Sequence, residues 1–437
     1  MKKIFTIALS VFALYANAQT TPAWSSVSSN FPNAGTYPLA LDAKGNVAWG
    51  FGADGTPAQA DYKVYTRTSD AGASWTGGTM NGLPANVSIS DIAAGDGSTA
   101  WVAAYPTSGN GGVWVTTDGG ANWTKQATAT YSNAASFPNI VYFWDLNTGI
   151  TMGDPISGGR LETYRTTNGG ITWTSITGAP AIGGEYGYVH NKSVAGDVIW
   201  AGSNLGRIFR SNDKGATWLP TVSSPLSDFG GAGESGEIAL KDANTAWVAS
   251  STGLVYKTTN AGTSFETVDL VTGTFYASSF AYVPGTDQTL LSGGASTANG
   301  RGSSISFDGG ANWTEITNNS VDVGITEITA VSPNLIYGGS FSDAGTGMNR
   351  LTALLATSEA GAVKGISIAP NPTYGDLNIS TVLNVKSVEI LDMNGRLIKT
   401  FGADSKKLDL SSLKVGVYAV KVNTADGKSQ ITKFIKK

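Results

Sequence analysis

The octamer TTDGGANW, from Thr116 to Trp123, decides the fold because it recurs. Its pattern, Ser/Thr-x-Asp/Asn-x-Gly-x-x-Trp/Phe, occurs in TSDAGASW from Thr68, TTNGGITW from Thr166, SNDKGATW from Ser211, TTNAGTSF from Thr258 and SFDGGANW from Ser306. The acidic or amide positions are Asp70, Asp118, Asn168, Asp213, Asn260 and Asp308, so successive steps are 48, 50, 45, 47 and 48 residues. A second element lies upstream of each octamer, a short apolar run such as NVAWGFG from Asn46 or TAWVAAY from Thr99, and it returns in NLIYGGS from Asn334. That element has seven copies against six octamers. Each unit reads as four short strands, with the octamer as the turn between the third and fourth, which is the length and content of a propeller blade. Seven blades are expected. Residues 345–357 would supply a late strand of the seventh, and Ala23-Trp24-Ser25 would complete that blade and remove its open edge.

The octamer chemistry is that of a turn. An Asp or Asn side chain accepts hydrogen bonds from its own turn, and Gly supplies positive φ at the tip. Trp75, Trp123, Trp173, Trp218, Phe265 and Trp313 are then expected to lie flat between blades. Six symmetric copies cannot all be one catalytic site, so these residues are assigned to structure. With the octamers on one face, the irregular loops between blades and between second and third strands gather on the other, where function is expected.

Composition agrees with an all-β protein. Gly contributes 56 of 437 residues, apolar residues 41%, and no long helix-forming run occurs. There is no cysteine, which excludes disulfides, thiolate nucleophiles and Cys-based zinc sites. One histidine cannot build a His-rich metal site, so no metal and no cofactor is expected. Residues 1–18 read as a signal peptide: Lys2 and Lys3, the apolar run Ile4 to Leu14, then Ala16-Asn17-Ala18. That run is too short for a permanent span, so no transmembrane segment is expected after its removal. Without Lys2 and Lys3, residues 1–363 carry 14 Lys and Arg against 26 Asp and Glu, a surface that repels nucleic acid.

Candidate chemistry lies in a few loops. GDPISGGRLE offers Asp154, Arg160 and Glu162; GEYGYVH offers Glu185, Tyr186, Tyr188 and His190; SDFGGAGESGE offers Asp228, Glu234 and Glu237; TANGRG offers Arg301. Paired carboxylates across a cleft are what glycoside hydrolysis requires, which makes Asp154, Glu185, Glu234 and Glu237 the catalytic candidates. Arg160, Tyr186, Tyr188, His190 and Arg301 are the candidates for binding a ligand. The plainer alternative is that these groups cap turns or line a solvated channel.

The octamer resembles the Asp-box, or BNR repeat, of sialidases, sortilin-type propellers, xyloglucanase-type glycoside hydrolases and the photosystem II stability/assembly factor family. The sialidase resemblance ends there, since no Arg-Ile-Pro element occurs and Arg165 and Arg210 fall on strands just before octamers. Xyloglucanase-type enzymes set two propellers around a cleft, whereas this chain has one. The assembly-factor family resembles residues 24–357 in architecture and implies a protein-binding propeller, although its arginine-rich patch is not evident here.

After residue 360 the period changes. Pro370-Asn371-Pro372 with Gly375-Asp376, the hairpin Leu391-Asp392-Met393-Asn394-Gly395, the run Leu413 to Tyr418 and the basic ending Lys433 to Lys437 resemble the type A C-terminal sorting domain of the Bacteroidetes type IX secretion system. This segment is basic, with 12 Lys and Arg against 6 Asp and Glu over 364–437, and its alternation suits a small β-sandwich. The resemblance implies export to the medium or the outer cell surface, with the outer-membrane secretion machinery as the partner of residues 361–437. The chain is thus expected to hold a signal peptide (1–18), a seven-bladed propeller (19–360) and a sorting β-sandwich (361–437). Two function classes follow: an extracellular binding module for protein or polysaccharide, which is preferred, and a secreted glycoside hydrolase.

Overall fold

A computed structural model of the chain describes residues 22–157, 159–296, 300–318, 324–342, 345–351, 366–381, 384–391, 397–403, 405–425 and 429–437. The expected signal peptide, the boundary at 360/361 and the hairpin residues Asp392 to Gly395 lie outside these residues. Two compact units emerge, one spanning Pro22–Leu354 and another that holds Leu355–Lys437.

The larger unit is a seven-bladed β-propeller. Blade 1 runs outward from the axis through Thr36–Lys44, Val47–Asp54, Val64–Thr68 and Thr76–Thr79, each antiparallel to the next. The innermost strands of blades 2 to 7 are Val87–Ala94, Pro138–Phe143, Gly187–Ala195, Gly236–Leu240, Ser279–Tyr282 and Gly324–Ser332. Second strands such as Ala100–Pro106 are buried almost throughout rather than alternately, because a neighbouring blade covers each face. This is why Trp49, Trp101, Trp200 and Trp247 can recur there without exposure.

The octamer turns explain the repeat. In blade 2 the Thr116 hydroxyl donates to Asp118 Oδ1 (2.9 Å) and accepts the Gly120 amide (2.9 Å). Asp118 Oδ1 in turn accepts the Asn122 amide (3.0 Å), and Gly120 has φ +95°. The same three bonds occur at Thr68, Thr166, Ser211, Thr258 and Ser306. A backbone bond ties each octamer to the first hairpin of its own blade, as from Gly119 N to Ser98 O (2.9 Å). Second-strand indoles reach the next blade, Trp101 Nε1 donating to Gly169 O (3.1 Å) and Trp247 Nε1 to Gly309 O (3.0 Å). Three octamer tryptophans meet an aromatic ring edge-on: Trp123 stands at 89° to Trp49 of blade 1, Trp75 at 87° to Tyr337 of blade 7 and Trp173 at 85° to Phe143, whereas Trp313 is tilted at 54° to Phe275. Edge-to-face contact suits the aromatic quadrupole better than a face-on sandwich.

The first described strand closes the ring. Ala23–Ser28 pairs antiparallel with Gly345–Leu351, Ser25 opposite Arg350 and Ser28 opposite Gly347. Trp24 is buried and its Nε1 donates to Ser303 Oγ of blade 6 (2.8 Å).

The smaller unit has a three-stranded sheet (Ile366–Ala369, Asp376–Thr381, Lys407–Asp409) and a four-stranded one (Leu397–Gly402, Val385–Leu391, Gly416–Thr424, Ser429–Lys436). Leu377, Ile379, Val388, Ile390, Val420 and Phe434 form its core.

Candidate functional site in the propeller channel

Seven innermost strands surround the axis, and side chains on them lock adjacent blades. Asp42 Oδ2 accepts the Ala94 amide (2.8 Å), Ser193 Oγ that of Leu240 (3.1 Å) and Ser279 Oγ that of Ile328 (2.9 Å). Asp91 does the same toward Val141 (2.9 Å) and also forms an ion pair with Lys192 Nζ at 2.5 Å. The innermost strands of blades 1, 2, 3, 4 and 7 each carry a bulge, and in blades 2, 4 and 7 the pairing resumes at a charged residue, Asp91, Lys192 and Glu327. A bulge re-aims the side chains around it. All three line one cavity of about 580 Å³ with His190 and Glu237.

That cavity extends from mid-channel toward the first hairpins of the blades, where Asp42, Tyr142, Gly196, Asp242 and Gly285 line it. It therefore lies toward the octamer face, not the loop face on which the sequence places the candidates. The difference has a topological reason: innermost strands run from the loop face to the octamer face, and the cavity takes its lining from their middles and ends.

Burial governs the electrostatics. Glu237 is half-buried, its exposed edge opening on the channel, and burial pushes its carboxyl up to about 7. Glu327 is held well above the ordinary range by burial first and by the neighbouring Glu237 second. Asp91 rises to about 6 because desolvation outweighs Lys192 and two backbone amides. His190 is pressed down to about 4 by burial first and by Lys192 second, with the Ser90 backbone opposing them. It sits at φ +45° within the blade 4 bulge, 6.4 Å edge-on from Phe51.

The other sequence candidates are distributed elsewhere. Glu185 is buried and pairs with Arg207 Nη1 at 2.6 Å, while the Ser203 hydroxyl (2.8 Å) and the Ile182 amide (2.9 Å) donate to it. Glu234 accepts the Ser227 hydroxyl and amide and the Ser250 hydroxyl, and the Ser227 bonds lead in lowering its pKa. Asp154 accepts from Asn139 Nδ2 (2.6 Å) and the Gly187 amide (3.2 Å); burial nonetheless raises it. Glu162 is buried beneath the Ser136 and Tyr164 hydroxyls. Glu237, grouped with Glu234 in one loop by sequence, instead stands on an innermost strand. Among the described residues no hydrogen bond or ion pair joins any two of Asp154, Glu185, Glu234 and Glu237.

On the loop face, Tyr186 is 42% exposed and meets Tyr188 edge-on at 5.6 Å, whose hydroxyl donates to Asp228 (2.7 Å). Burial raises the Tyr188 hydroxyl above its ordinary value, with Asp228 adding to it. Ile182 and Leu205 are exposed nearby in chain, and Asn204 exchanges backbone and side-chain hydrogen bonds with Tyr186. Arg160 is exposed and donates to the Gly178 carbonyl (2.9 Å), and Arg301 is half-buried on the third strand of blade 6. The sequence reading missed Asp91, Lys192 and Glu327. Asp91 and Glu327 are each the one charge of their strands, VSISDIAA and GITEITAVS, and Lys192 follows His190 and Asn191 in GYVHNKSVA.

Fold and tail together define an exported seven-bladed β-propeller. Residues 367–437 match the family described as the secretion system C-terminal sorting domain, so the chain is a type IX secretion cargo bound for the medium or the outer cell surface. The tail implies contact with that secretion machinery. Among solved structures, YCF48 from Cyanidioschyzon merolae aligns at 18% identity with a TM-score of 0.54, over 76% of this chain and 99% of its own. The GH74 xyloglucanase from Xanthomonas campestris aligns at 13% identity and 0.48, over 92% of this chain and 59% of its own. The YCF48 likeness, at this identity, is one of fold. A search of curated proteins returned no match. Among the described residues no helix is long and apolar enough to cross a membrane, and no group of three His, Cys, Asp or Glu side chains is placed to hold a metal.

Proposed function

We propose that the propeller is a non-catalytic extracellular binding module for protein or glycan. The observation that supports this most is the fate of the loop carboxylates. Glu185 is taken up by Arg207 and Ser203, Glu234 by Ser227 and Ser250, and Asp154 by Asn139 and Gly187. A glycosidase needs two carboxyl groups about 5–10 Å apart across an open cleft. Those three instead stabilise their own loops. Tyr186, Leu205 and Ile182 are each exposed on loops of blade 4, and such apolar groups with a polar tip suit sugar rings and protein side chains alike.

The second reading, glycoside hydrolysis, draws on Glu237, whose carboxyl retains its proton near neutrality as a general acid does. Incubating the purified chain with plant and mucin polysaccharides separates the two. Retention on a glycan array or capture of an extracellular protein, without product formation, is expected. Turnover that disappears in Glu185→Gln, Glu234→Gln or Glu237→Gln would replace the binding reading with the enzyme.

A further inference from the structure

The channel contains more carboxyl groups than cations. Asp91 and Lys192 satisfy each other, and Asp91 also accepts the Val141 and Ile92 amides. Glu237 of blade 5 and Glu327 of blade 7 face the same cavity, and among the described residues neither makes a hydrogen bond or an ion pair. His190, beside them, keeps Nδ1 enclosed with no hydrogen-bond partner among the described residues. A desolvated carboxyl without a hydrogen-bond or ion-pair partner costs stability when ionised, and neither Glu takes part in the blade-to-blade bonds of the inner strands. A fold that keeps such groups around an accessible cavity has the form of a binding site awaiting its counter-charge.

The cavity walls indicate the shape of that counter-charge. Half-buried Leu39, Val194 and Tyr282 stand on its largely polar wall, and they give a methylene stem with a charged end some apolar surface to lie against, whereas Leu41 and Leu240 belong to the blade cores. The cavity volume of about 580 Å³ is ample for an aminoalkyl chain. Toward the mouth the remaining charges are Asp42 with Lys44, Lys241 with Asp287, and Asp242, so the rim has one carboxylate in excess while the floor has two carboxyls in excess.

We propose that the channel is a socket for a primary ammonium group on an alkyl chain, entering from the octamer face and ending between Glu237 and Glu327. This rests on the binding reading and narrows its ligand class. A lysine side chain of a polypeptide and a free diamine share the chemistry. Seating the ammonium favours ionisation of the carboxyls, one proton leaving for each that ionises, so protons are released on binding and affinity increases with pH. The ammonium itself stays charged throughout, with an ordinary pKa of about 10.4. Asp91, Lys192 and His190 complete the charged surroundings of the two glutamates.

Calorimetric titration of the purified full chain tests the socket with three probes: 1,5-diaminopentane, a peptide with one free lysine amine, and the same peptide acetylated at Nε. The expected result is a preference of about tenfold or more for the free amine over its acetylated form, the worth of one charge-assisted hydrogen bond. Affinity should increase from pH 6 to pH 8, with buffer-dependent heats reporting proton release. Glu237→Gln and Glu327→Gln should each weaken binding about tenfold. Diamine binding without peptide binding would identify a small amine as the source, and binding of both would identify lysine. If a Gln variant fails to fold, proton release by the unaltered chain still decides. Equal affinity for free and acetylated peptide, indifference to both substitutions, or no binding at millimolar probe would overturn the socket. Capture of a glycan or protein alongside any of those results would leave the binding reading standing, whereas polysaccharide turnover would remove that reading first.

Discussion

The hydroxyl of Thr116 performs two tasks, donating to Asp118 and accepting the amide of Gly120, and it is buried while doing so. Thr116→Val keeps the shape and removes both bonds, leaving the Gly120 amide enclosed without a partner. A loss of about 1–2 kcal/mol in unfolding free energy is expected, measured by urea denaturation. The structural work of the octamers was legible in the sequence because repetition separates scaffold from site. The hydroxyl at the head of each octamer is a more central hub than the acid that draws the eye. Glu327 goes unnoticed in the sequence, and Glu237 reads as a loop residue, for the opposite reason. A single charge in a short strand reads as a solvent-facing position, and only closure of the ring shows that its solvent is an enclosed channel.

The strand Ala23–Ser28 completes a sheet in which its antiparallel partner, Gly345–Leu351, lies more than 300 residues away in the chain. Its indole, Trp24, packs among Leu291, Ile305, Ile316, Ile336 and Leu351, so it joins blades 6 and 7 as well as closing the latter. Trp24→Ala should cost about 3–5 kcal/mol. It should also free the edge of Gly345–Leu351, a row of unpaired backbone groups that recruits other chains. Light scattering during thermal unfolding checks both, since the variant should associate at a temperature where the unaltered protein remains monodisperse. This element was readable from Ala23-Trp24-Ser25 because an incomplete last unit demands a partner. The bulges on the innermost strands were not readable, since they arise where strands crowd around the axis and leave no local turn signature.

At the scale of the whole molecule, the channel makes stability depend on pH. Glu237 (about 7), Glu327 (well above the ordinary range) and Asp91 (about 6) all bind protons more tightly folded than unfolded. Their stabilisation is complete below about pH 4 and is lost as pH rises through the folded values. His190, lowered to about 4, acts in the other direction, contributing above its ordinary 6.5 and losing that contribution as pH falls. With three carboxyls against one imidazole, the melting temperature should fall between pH 5 and pH 8, and Glu237→Gln should flatten that fall. At pH 8 the variant should gain about 1–2 kcal/mol, and at pH 5 little, as differential scanning calorimetry can show. Ring closure has a mechanical consequence as well. Because Ala23–Ser28 and Gly345–Leu351 run antiparallel, a pull applied at Ala23 and Leu351 loads one end of the same ladder. Tension would then part the rungs singly from Ser25–Arg350 inward, as a zip opens, so the toroid yields first at its seam and at low force.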